Sequence, residues 1–389
     1  MKEKLLNIIR ICFVACLAIL VFAGLGRAVF MPKEVVRYEN RKANLLPALS
    51  LETVLSVEYQ DGVESALMDQ IHGAELMKSK YNETDSGIAF SVLKSIFMRD
   101  PNRLYYYNGL LVRGGDALLY YPKILREDSM VLLDERAAEI NEAAAANPEQ
   151  DFYVYYVEKD TDINFDTLVH SGFYEHLASK LDPSIPHGVD AIADFEDYYR
   201  RFYKTDHHWN HIGSYECYLD LLPFLGVESE PIAIEGEYLI GTRMSGSKAA
   251  YTRSLDVWVE DMYGYYLNFP WMGVNINGWW SENYGCQNVP DENAVSYGGY
   301  YGDDFGQVTF NMDKPERENI LVIGDSYDNA ILKLIASHFN MTYSVDLRYY
   351  EHYMGEKFVL SDYIEEHDID KVLIIGSVNF FLSEDFSLR

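Results

Sequence analysis

The fold of this chain is decided by Glu318 to Ser337, which reads ENILVIGDSYDNAILKLIAS. Ile320 to Ile323 form an unbroken apolar run, which predicts a strand buried on both faces of a parallel sheet. Gly324 ends that strand. Beyond Tyr327, apolar side chains recur at helical spacing, at Ile331, Leu332, Ile335 and Phe339. The stretch therefore predicts a strand, a turn and a helix in close succession.

Asp325 and Ser326 fall in the turn between this strand and this helix. Ligands bind at that position in open α/β sheets. The hydroxyl of Ser326 is expected near unpaired helix amides, which can hold an anion that develops on a substrate carbonyl. Ser326 is therefore a candidate nucleophile. The same residues are also typical of an ordinary turn with a helix N-cap, because a serine needs a base to act as a nucleophile.

Composition limits the classes of protein to consider. The chain has 389 residues, of which 48% are hydrophobic, enough for one large α/β domain with an elaboration or for two modest domains. Its formal net charge is −29. This charge argues against binding to nucleic acid or anionic lipid through a basic face, since such contacts need clustered lysine and arginine.

The N-terminal segment, residues 1–30, is predicted to be a signal anchor. Three basic residues come first, Lys2, Lys4 and Arg10. Ile11 to Gly26 then contains no charge. A basic end stays in the cytoplasm, so the chain beyond residue 30 is expected outside the cytoplasm. Two other interpretations stay open: cleavage near Ala23 to Ala28, which gives a secreted protein, and a buried helix of a cytoplasmic protein.

Four cysteines do not make a disulfide framework. Cys12 and Cys16 lie in the apolar N-terminal segment. Cys217 and Cys286 either form one bridge outside the cytoplasm or stay free. The sequence favours two free thiols.

Three segments are expected: the anchor at 1–30, a linker and helical segment at 31–100, and an α/β domain at 101–389. The last alternates strand and helix patterns, at about Asp134 to Ala146, Phe152 to Val157, Met341 to Val345, Leu360 to His367 and Val372 to Ile375. This alternation predicts a doubly wound, right-handed parallel sheet covered by helices on both faces.

Residues 235–310 have a different character and are expected to be an insertion over the carboxyl edge of the sheet. The segment contains four of the five tryptophans, Trp258, Trp271, Trp279 and Trp280, and many tyrosines. Aromatic rings stack on the apolar faces of sugars, so the segment is a candidate glycan platform. The other interpretation is that these rings form the core of a loop-rich insertion.

A second motif lies at Tyr203 to Tyr218, which reads YKTDHHWNHIGSYECY. If its first part is extended, Asp206 and His208 project to one side and His207 to the other. A carboxylate bonded to one imidazole nitrogen fixes the tautomer and leaves the other nitrogen to take a serine proton. Asp206 and His208 are therefore candidates for an orienting acid and a general base.

The same residues allow two other interpretations. Asp206 can cap the helix that begins near His208 or Trp209. Alternatively, His208 and His211, three apart on a helix, can join Asp206 as metal ligands. No HExxH pattern or further Cys/His cluster supports a metal site, so no metal and no cofactor are expected.

Together the two motifs resemble those of the bacterial DHHW-motif proteins. Thr205-Asp206-His207-His208-Trp209 precedes Gly324-Asp325-Ser326-Tyr327, in the order found in that family. The family is similar in turn to the SGNH-hydrolase-like alginate O-acetyltransferases. The resemblance extends over most of the chain beyond the anchor, through Glu39 to Arg41, Leu46 to Pro47, Val345 to Tyr350 and Lys371 to Gly376.

The resemblance implies an SGNH-hydrolase-like fold in which Ser326 is the nucleophile, His208 the base and Asp206 its orienter. The sequence has no Gly-x-Asn-Asp block for the usual oxyanion hole, so the candidate auxiliary residues are Tyr327 and Asn379. The candidate substrate-binding residues are Trp209, Trp279 and Trp280.

The expected function is that of a membrane-anchored, extracytoplasmic serine O-acetyltransferase or O-acetylesterase that acts on a polysaccharide. The acyl donor is expected to be a multi-pass membrane acyltransferase. Two other functions stay open. One is a catalytically inactive glycan-binding or scaffold protein of the cell envelope, and the other is a metal-dependent hydrolase.

Overall fold

A computed structural model describes most of the chain. The described residues are 10–15, 18–19, 22–23, 26, 29–33, 35–36, 41–47, 58–70, 84, 88, 103–252, 255, 257–287 and 295–389. The chain divides into two compact units. The smaller contains Met1–Gly109 and Ser247–Trp258, and the larger contains Leu110–Gly246 and Val259–Arg389. The site described below lies within the larger unit.

Strands are numbered in chain order. They are β1 (Val35–Val36), β2 (Arg41–Lys42), β3 (Tyr105–Tyr107), β4 (Leu110–Arg113), β5 (Ala117–Leu119), β6 (Asp151–Val157), β7 (Ile163–Asn164), β8 (Val169–His170), β9 (His187–Asp190), β10 (Ile234–Met244), β11 (Glu260–Leu267), β12 (Gly273–Ile276), β13 (Trp279–Ser281), β14 (Gln307–Asn311), β15 (Ile320–Gly324), β16 (Met341–Val345) and β17 (Lys371–Ser377).

Helices are numbered in the same way. They are α1 (Glu58–Gln70), α2 (Glu127–Ala146), α3 (Phe173–Ala178), α4 (Phe195–Arg201), α5 (His211–Phe224), α6 (Ser247–Tyr251), α7 (Tyr297–Tyr301), α8 (Leu332–Ala336), α9 (Tyr350–Met354), α10 (Leu360–His367) and α11 (Val378–Phe381). A 3₁₀ helix covers Asp328–Ala330.

The predicted signal anchor lies partly outside the described residues, as does most of the predicted linker at 31–100. The described residues between 10 and 30 are helical. Among the residues that the structure describes, no helix combines the length and the apolar character needed to cross a membrane. The anchor therefore stays a prediction.

The larger unit is built on an eight-stranded sheet with the order β13-β12-β14-β16-β15-β17-β6-β9. The five strands from β16 to β9 are parallel, as predicted. The remaining three, β14, β12 and β13, are antiparallel, so the prediction of a wholly parallel sheet is wrong at this end. For β12 and β13 the reason is local, since a tight hairpin with no crossover helix joins them.

Both faces of the sheet are covered, which explains the unbroken apolar runs of its central strands. On one face Leu321 and Ile323 of β15 belong to a buried cluster with side chains from α2, α3 and α10. On the other face Tyr153 and Tyr155 of β6 pack edge-on against Phe224 of α5, with ring centroids 5.5 and 5.2 Å apart. The core therefore lies on either side of the strand that precedes Ser326.

Residues 235–310 were predicted to form one insertion over the carboxyl edge of the sheet. In the structure this segment does not form a single insertion. Its residues from β12 onward extend the central sheet, β10 pairs with β11, and residues 247–258 belong to the smaller unit. Its aromatic residues divide accordingly. Some are buried in the core, namely Trp258, Tyr284, Tyr297, Tyr300 and Tyr301, and the tryptophans that are exposed are Trp271, Trp279 and Trp280.

The cysteines that the structure describes carry free thiols. Cys217 is buried on α5 and Cys286 is partly buried. The expectation of free thiols at these two positions is confirmed.

Candidate active site

Ser326, His208 and Asp206 form a continuous hydrogen-bonded series. The Nε2 atom of His208 lies 2.7 Å from the Oγ atom of Ser326, and its Nδ1 atom lies 2.6 Å from Oδ1 of Asp206. Because a carboxylate only accepts, Nδ1 carries the hydrogen, and in neutral His208 Nε2 accepts from the Ser326 hydroxyl. The structure thus joins two motifs that are 118 residues apart in sequence.

Burial differs along this series. Asp206 is 5% exposed and His208 is 6% exposed. Ser326 is partly exposed. The hydroxyl at the end of the series therefore has access to solvent, while the two groups behind it are shielded from solvent. Shielding strengthens the interaction of the carboxylate with the ring.

The segment that holds Asp206 and His208 is a bend closed by backbone contacts. Phe202 and Trp209 form an isolated antiparallel bridge, and the amide of Tyr203 donates to the carbonyl of His208 at 3.1 Å. Inside the bend, the amide of His208 donates to Oδ1 of Asp206 at 3.1 Å. The same carboxylate oxygen therefore fixes both the backbone and the ring of His208.

Helix α5 starts after this bend, at His211, and its cap is Asn210. The Asn210 side chain accepts from the amides of Ile212 and Gly213 at 2.9 and 3.1 Å. The interpretation of Asp206 as a helix cap is therefore wrong. Asp206 is therefore available to His208, and its Oδ1 also lies 3.5 Å from Nδ1 of His207.

Two residues outside the motif, Glu260 and Gly246, contact the bend. The partly buried carboxylate of Glu260 accepts from the amide and the hydroxyl of Thr205, at 2.7 and 2.6 Å, and burial raises the pKa of this carboxyl. Gly246 lies directly against Asp206, because a Cβ atom at Gly246 would stand 2.4 Å from Cβ of Asp206. The position of Asp206 therefore requires glycine at 246.

The structure gives no support to the predicted role of Trp209 in substrate binding, because the indole is enclosed by protein. Its side chain is 0% exposed, and its Nε1 donates to Oδ2 of Asp190 at 2.8 Å. Asp190 ends β9 and pairs with the buried Arg201. The hydrogen bond of the indole therefore connects the bend to β9, the outermost parallel strand of the sheet.

On the serine side, the predicted turn after β15 is present, but the predicted helix starts later and is shorter than expected. A short 3₁₀ helix comes first, and α8 starts only at Leu332 and has 5 residues. The Asp325 carboxylate accepts from the amide of Tyr327 and the hydroxyl of Ser377, both at 3.2 Å. The turn is therefore fixed by a side chain and not by a long helix.

The two auxiliary candidates have other contacts in the structure. Tyr327 is 1% exposed and its hydroxyl donates to the carbonyl of His207 at 2.5 Å. The amide of Tyr327 donates to the carboxylate of Asp325. Both donors of Tyr327 are therefore used in contacts within and between the two motifs and not for an oxyanion. Asn379 is exposed and its Oδ1 accepts from Nζ of Lys123 at 2.6 Å.

Sequence reasoning missed Tyr297, which contacts both sides of the site. Its ring is stacked on that of His208, with centroids 3.7 Å apart and planes 6° apart. Its hydroxyl donates to the carbonyl of Ser326 at 2.7 Å, and burial raises the pKa of that hydroxyl well above its usual value. Tyr297 lies among several aromatic residues of similar pattern, so no sequence signal singled it out.

The alternative metal set is not assembled as predicted. The Nε2 atom of His211 lies 2.8 Å from Oε1 of Glu237, away from Asp206 and His208. Within the described ranges, the residues whose ligand atoms lie close together are Asp206, His207 and His208, within 4.8 Å of one another. Both ring nitrogens of His208 already bond Asp206 and Ser326, so a metal would have to displace those hydrogen bonds.

Trp279 and Trp280 are 79% and 73% exposed on β13, the strand at the antiparallel end of the sheet. Successive strand residues point to opposite faces, so the two rings do not form one flat surface. Four strand spacings separate β13 from β15, which is about 19 Å. Their role in substrate binding stays a prediction.

An α/β sheet with serine, histidine and aspartate bonded in series at its carboxyl edge is the arrangement of serine-hydrolase-type proteins. No family model matches the sequence, and no curated protein matches it either. Solved structures do match. PatB1 from Bacillus cereus with a sulfonyl adduct has 18% identity and a TM-score of 0.57, over 74% of this chain and 99% of the other.

A DHHW family protein from Eubacterium siraeum has 16% identity and a TM-score of 0.57, over 72% of this chain and 95% of the other. A second structure of PatB1 has 19% identity and a TM-score of 0.54, over 74% and 99%. The resemblance to DHHW-motif proteins is thus confirmed at the level of the fold.

Proposed function

We propose that this protein is a serine acyl-transfer enzyme, with Ser326 as nucleophile, His208 as general base and Asp206 as the residue that orients His208. The observation that carries the proposal is the unbroken series of hydrogen bonds from Asp206 through His208 to the partly exposed hydroxyl of Ser326. A serine with a base in contact and an acid behind that base is an activated nucleophile.

Acyl transfer through these residues takes two half-reactions. As Oγ of Ser326 attacks the acyl carbonyl, Nε2 of His208 takes its proton, and Asp206 stabilises the imidazolium. The tetrahedral intermediate collapses, His208 protonates the leaving group, and the acyl group stays on Ser326. A sugar hydroxyl or water, deprotonated by His208, then takes the acyl group and restores the serine.

We further propose that the acyl group is acetyl and that the acceptor or substrate is a polysaccharide outside the cytoplasm. The resemblance of both motifs to DHHW-motif proteins supports this choice. The charge pattern of residues 1–30 supports anchoring, and a multi-pass membrane acyltransferase would then supply the acyl donor. Transfer and hydrolysis differ only in whether a sugar or water reaches the acyl-enzyme.

The test is hydrolysis of a chromogenic acetyl ester by the purified full chain. We expect Ser326→Ala and His208→Ala each to lower kcat/KM by about 10²-fold or more, since each removes part of the nucleophile and base pair. Matched controls are Ser361→Ala and His352→Ala, two exposed positions on α10 and α9. They should keep the wild-type rate.

A sulfonyl fluoride provides a second measurement, because sulfonyl groups are electrophiles for activated hydroxyls. We expect mass spectrometry to locate the label on Ser326 and to find little label in His208→Ala. Equal ester turnover in wild type and both variants, together with an unlabelled Ser326, would contradict the proposal. A non-catalytic glycan-binding role, which the exposed Trp271, Trp279 and Trp280 favour, would then remain.

A further inference from the structure

A cavity of about 130 Å³ opens at the carboxyl edge of the central sheet, and Asp325, the residue before the candidate nucleophile, is part of its lining. It lies among residues that follow three neighbouring parallel strands: Asp325 after β15, Asp346 after β16 and Asn379 after β17. Asp325 directly precedes Ser326 in the chain. A group bound in this cavity therefore lies next to the turn that holds the serine.

The walls of the cavity are of two kinds. One part is apolar and consists of Leu347, Phe380 and Phe386. The rest is polar, with carboxylate, guanidinium, amide and hydroxyl groups. A pyranose ring presents both a C–H face and a rim of hydroxyls, so a cavity with both kinds of wall matches one sugar unit.

Two side chains offer hydrogen-bond donors to this cavity. Arg348 is held by Asp346, with Nε 2.9 Å from Oδ1 and Nη2 2.5 Å from Oδ2. This pairing leaves the Nη1 group of Arg348 without a partner among the residues described. The Oδ1 atom of Asn379 is occupied by Lys123, so the amide NH₂ of Asn379 remains as a donor. Sugar hydroxyl oxygens accept from such groups.

The charge of the cavity is negative. Three carboxylates line it, those of Asp325, Asp346 and Asp385, against the single guanidinium of Arg348. Arg348 is already paired with Asp346 and lies 3.5 Å from Asp304. Asp385 has no cationic partner in the part of the chain that the structure describes. A sugar carboxylate placed here would meet three carboxylates, with only Arg348, which is already paired, and the Lys123 ammonium beyond Asn379 to offset them.

We propose that this cavity binds one sugar unit of the acyl acceptor and selects units that carry no carboxylate. The proposal rests on the proposed function, since the bound sugar is the acceptor for the acyl group on Ser326. Sugar hydroxyls donate to Asp325 and Asp385 and accept from Arg348 and Asn379, while Leu347 contacts the C–H face. The polymer is then neutral or amino-substituted, and a polyuronate is rejected.

Calorimetric titration of the full chain tests this with two probes of equal length, a hexamer of glucose and a hexamer of galacturonic acid. We expect the glucose hexamer to bind at least tenfold more tightly. Leu347→Trp, which fills the cavity, should weaken binding of the glucose hexamer by at least tenfold. Asp385→Asn removes one negative charge at an exposed position. It should lower the ratio of the affinity for the glucose hexamer to the affinity for the galacturonic acid hexamer.

Asp362→Asn on α10 is the matched control, because it removes an exposed carboxylate that does not line the cavity and should leave both affinities unchanged. Tighter binding of the galacturonate hexamer, or an unchanged ratio in Asp385→Asn, overturns the proposal. Sulfonyl labelling of Ser326 in the wild type reports on the proposed function separately. A chain that is labelled at Ser326 but binds neither hexamer overturns the sugar site alone.

Discussion

The ring of His208 is held by more than its hydrogen bonds. Tyr297 covers one face of the imidazole, and Tyr327 lies tilted against it with ring centroids 5.1 Å apart. The face of a phenol ring is negative, so it favours the imidazolium that forms when His208 takes the serine proton. Tyr297 therefore acts on the candidate base through its ring and on the candidate nucleophile through its hydroxyl.

Removing only the hydroxyl of Tyr297 separates these two effects. Tyr297→Phe keeps the stacked ring but loses the hydrogen bond to the Ser326 carbonyl. Since such a bond contributes about 0.5–1.5 kcal/mol, we expect kcat to fall by roughly 2- to 12-fold with KM little changed. Steady-state kinetics with the acetyl ester would measure this split.

Tyr297→Leu should lower kcat further, because it also removes the stacked ring. Tyr300→Phe on the same helix is the control, since the Tyr300 hydroxyl bonds that of Tyr238 at 2.7 Å and not the site. A larger loss of kcat in Tyr300→Phe than in Tyr297→Phe would show that general packing, and not the contact with Ser326, sets the rate.

At the residue scale, the sequence predicts what local geometry decides. Asp206 and His208 are two apart, so their contact follows from the conformation of one short segment. Tyr297 reaches the site only through tertiary packing, and nothing local distinguishes it from Tyr300. The burial of Trp209 could not be predicted, because an indole next to a polar motif has the same sequence pattern whether it packs inward or outward.

Among the elements, the hairpin between β12 and β13 forms the outer part of the antiparallel end of the sheet, which begins where β14 pairs with β16. Its two turn residues, Asn277 and Gly278, have φ angles of 50° and 81°. An Asn-Gly pair with both φ values positive is the preferred two-residue hairpin turn. The turn therefore returns the chain directly to the neighbouring antiparallel strand.

Gly278→Ala should destabilise this hairpin through the backbone alone. Nothing lies within 4 Å of a Cβ atom built at Gly278, so the cost is that of the left-handed conformation, about 1–2 kcal/mol. Chemical denaturation of the full chain would measure the change in the free energy of unfolding. Gly236→Ala is the control, because its Cβ would make an ordinary contact at 3.8 Å with Tyr266. Equal effects of the two changes would contradict this account.

Element prediction succeeded where strands and helices were strongly apolar, whereas α2 was predicted to start at about Asp134 and starts at Glu127. The predicted bounds of β16 and α10 agree with the structure, and β6 differs from its prediction by one residue. The antiparallel strands could not be predicted, because β12 and β13 have 4 and 3 residues and show too little periodicity. The helix after Ser326 was predicted too early, since apolar spacing does not distinguish a 3₁₀ turn from the start of an α-helix.

For the molecule as a whole, a formal charge of −29 implies strong self-repulsion in the folded state. Raising ionic strength from about 0.01 M to about 0.15 M shortens the screening length from about 30 Å to about 8 Å. We expect Tm at pH 7 to rise by a few degrees over this range. Scanning calorimetry would measure it.

The same measurement near the isoelectric point is the control, because little net charge remains there and added salt should have less effect. A Tm that falls with added salt at pH 7 would contradict this account. It would show that attractive surface ion pairs stabilise the folded state by more than charge repulsion destabilises it. The predicted preference for uncharged sugars agrees with this overall acidity.

Because the five tryptophans differ in burial, their fluorescence can report separately on the interior and on the surface of the protein. Trp209 and Trp258 are at most 2% exposed, whereas Trp271, Trp279 and Trp280 are at least 73% exposed. Iodide in solution would quench the emission of the second group and spare the first. Fluorescence can therefore distinguish a ligand that covers Trp279 and Trp280 on β13 from a change that disturbs Trp209 next to His208.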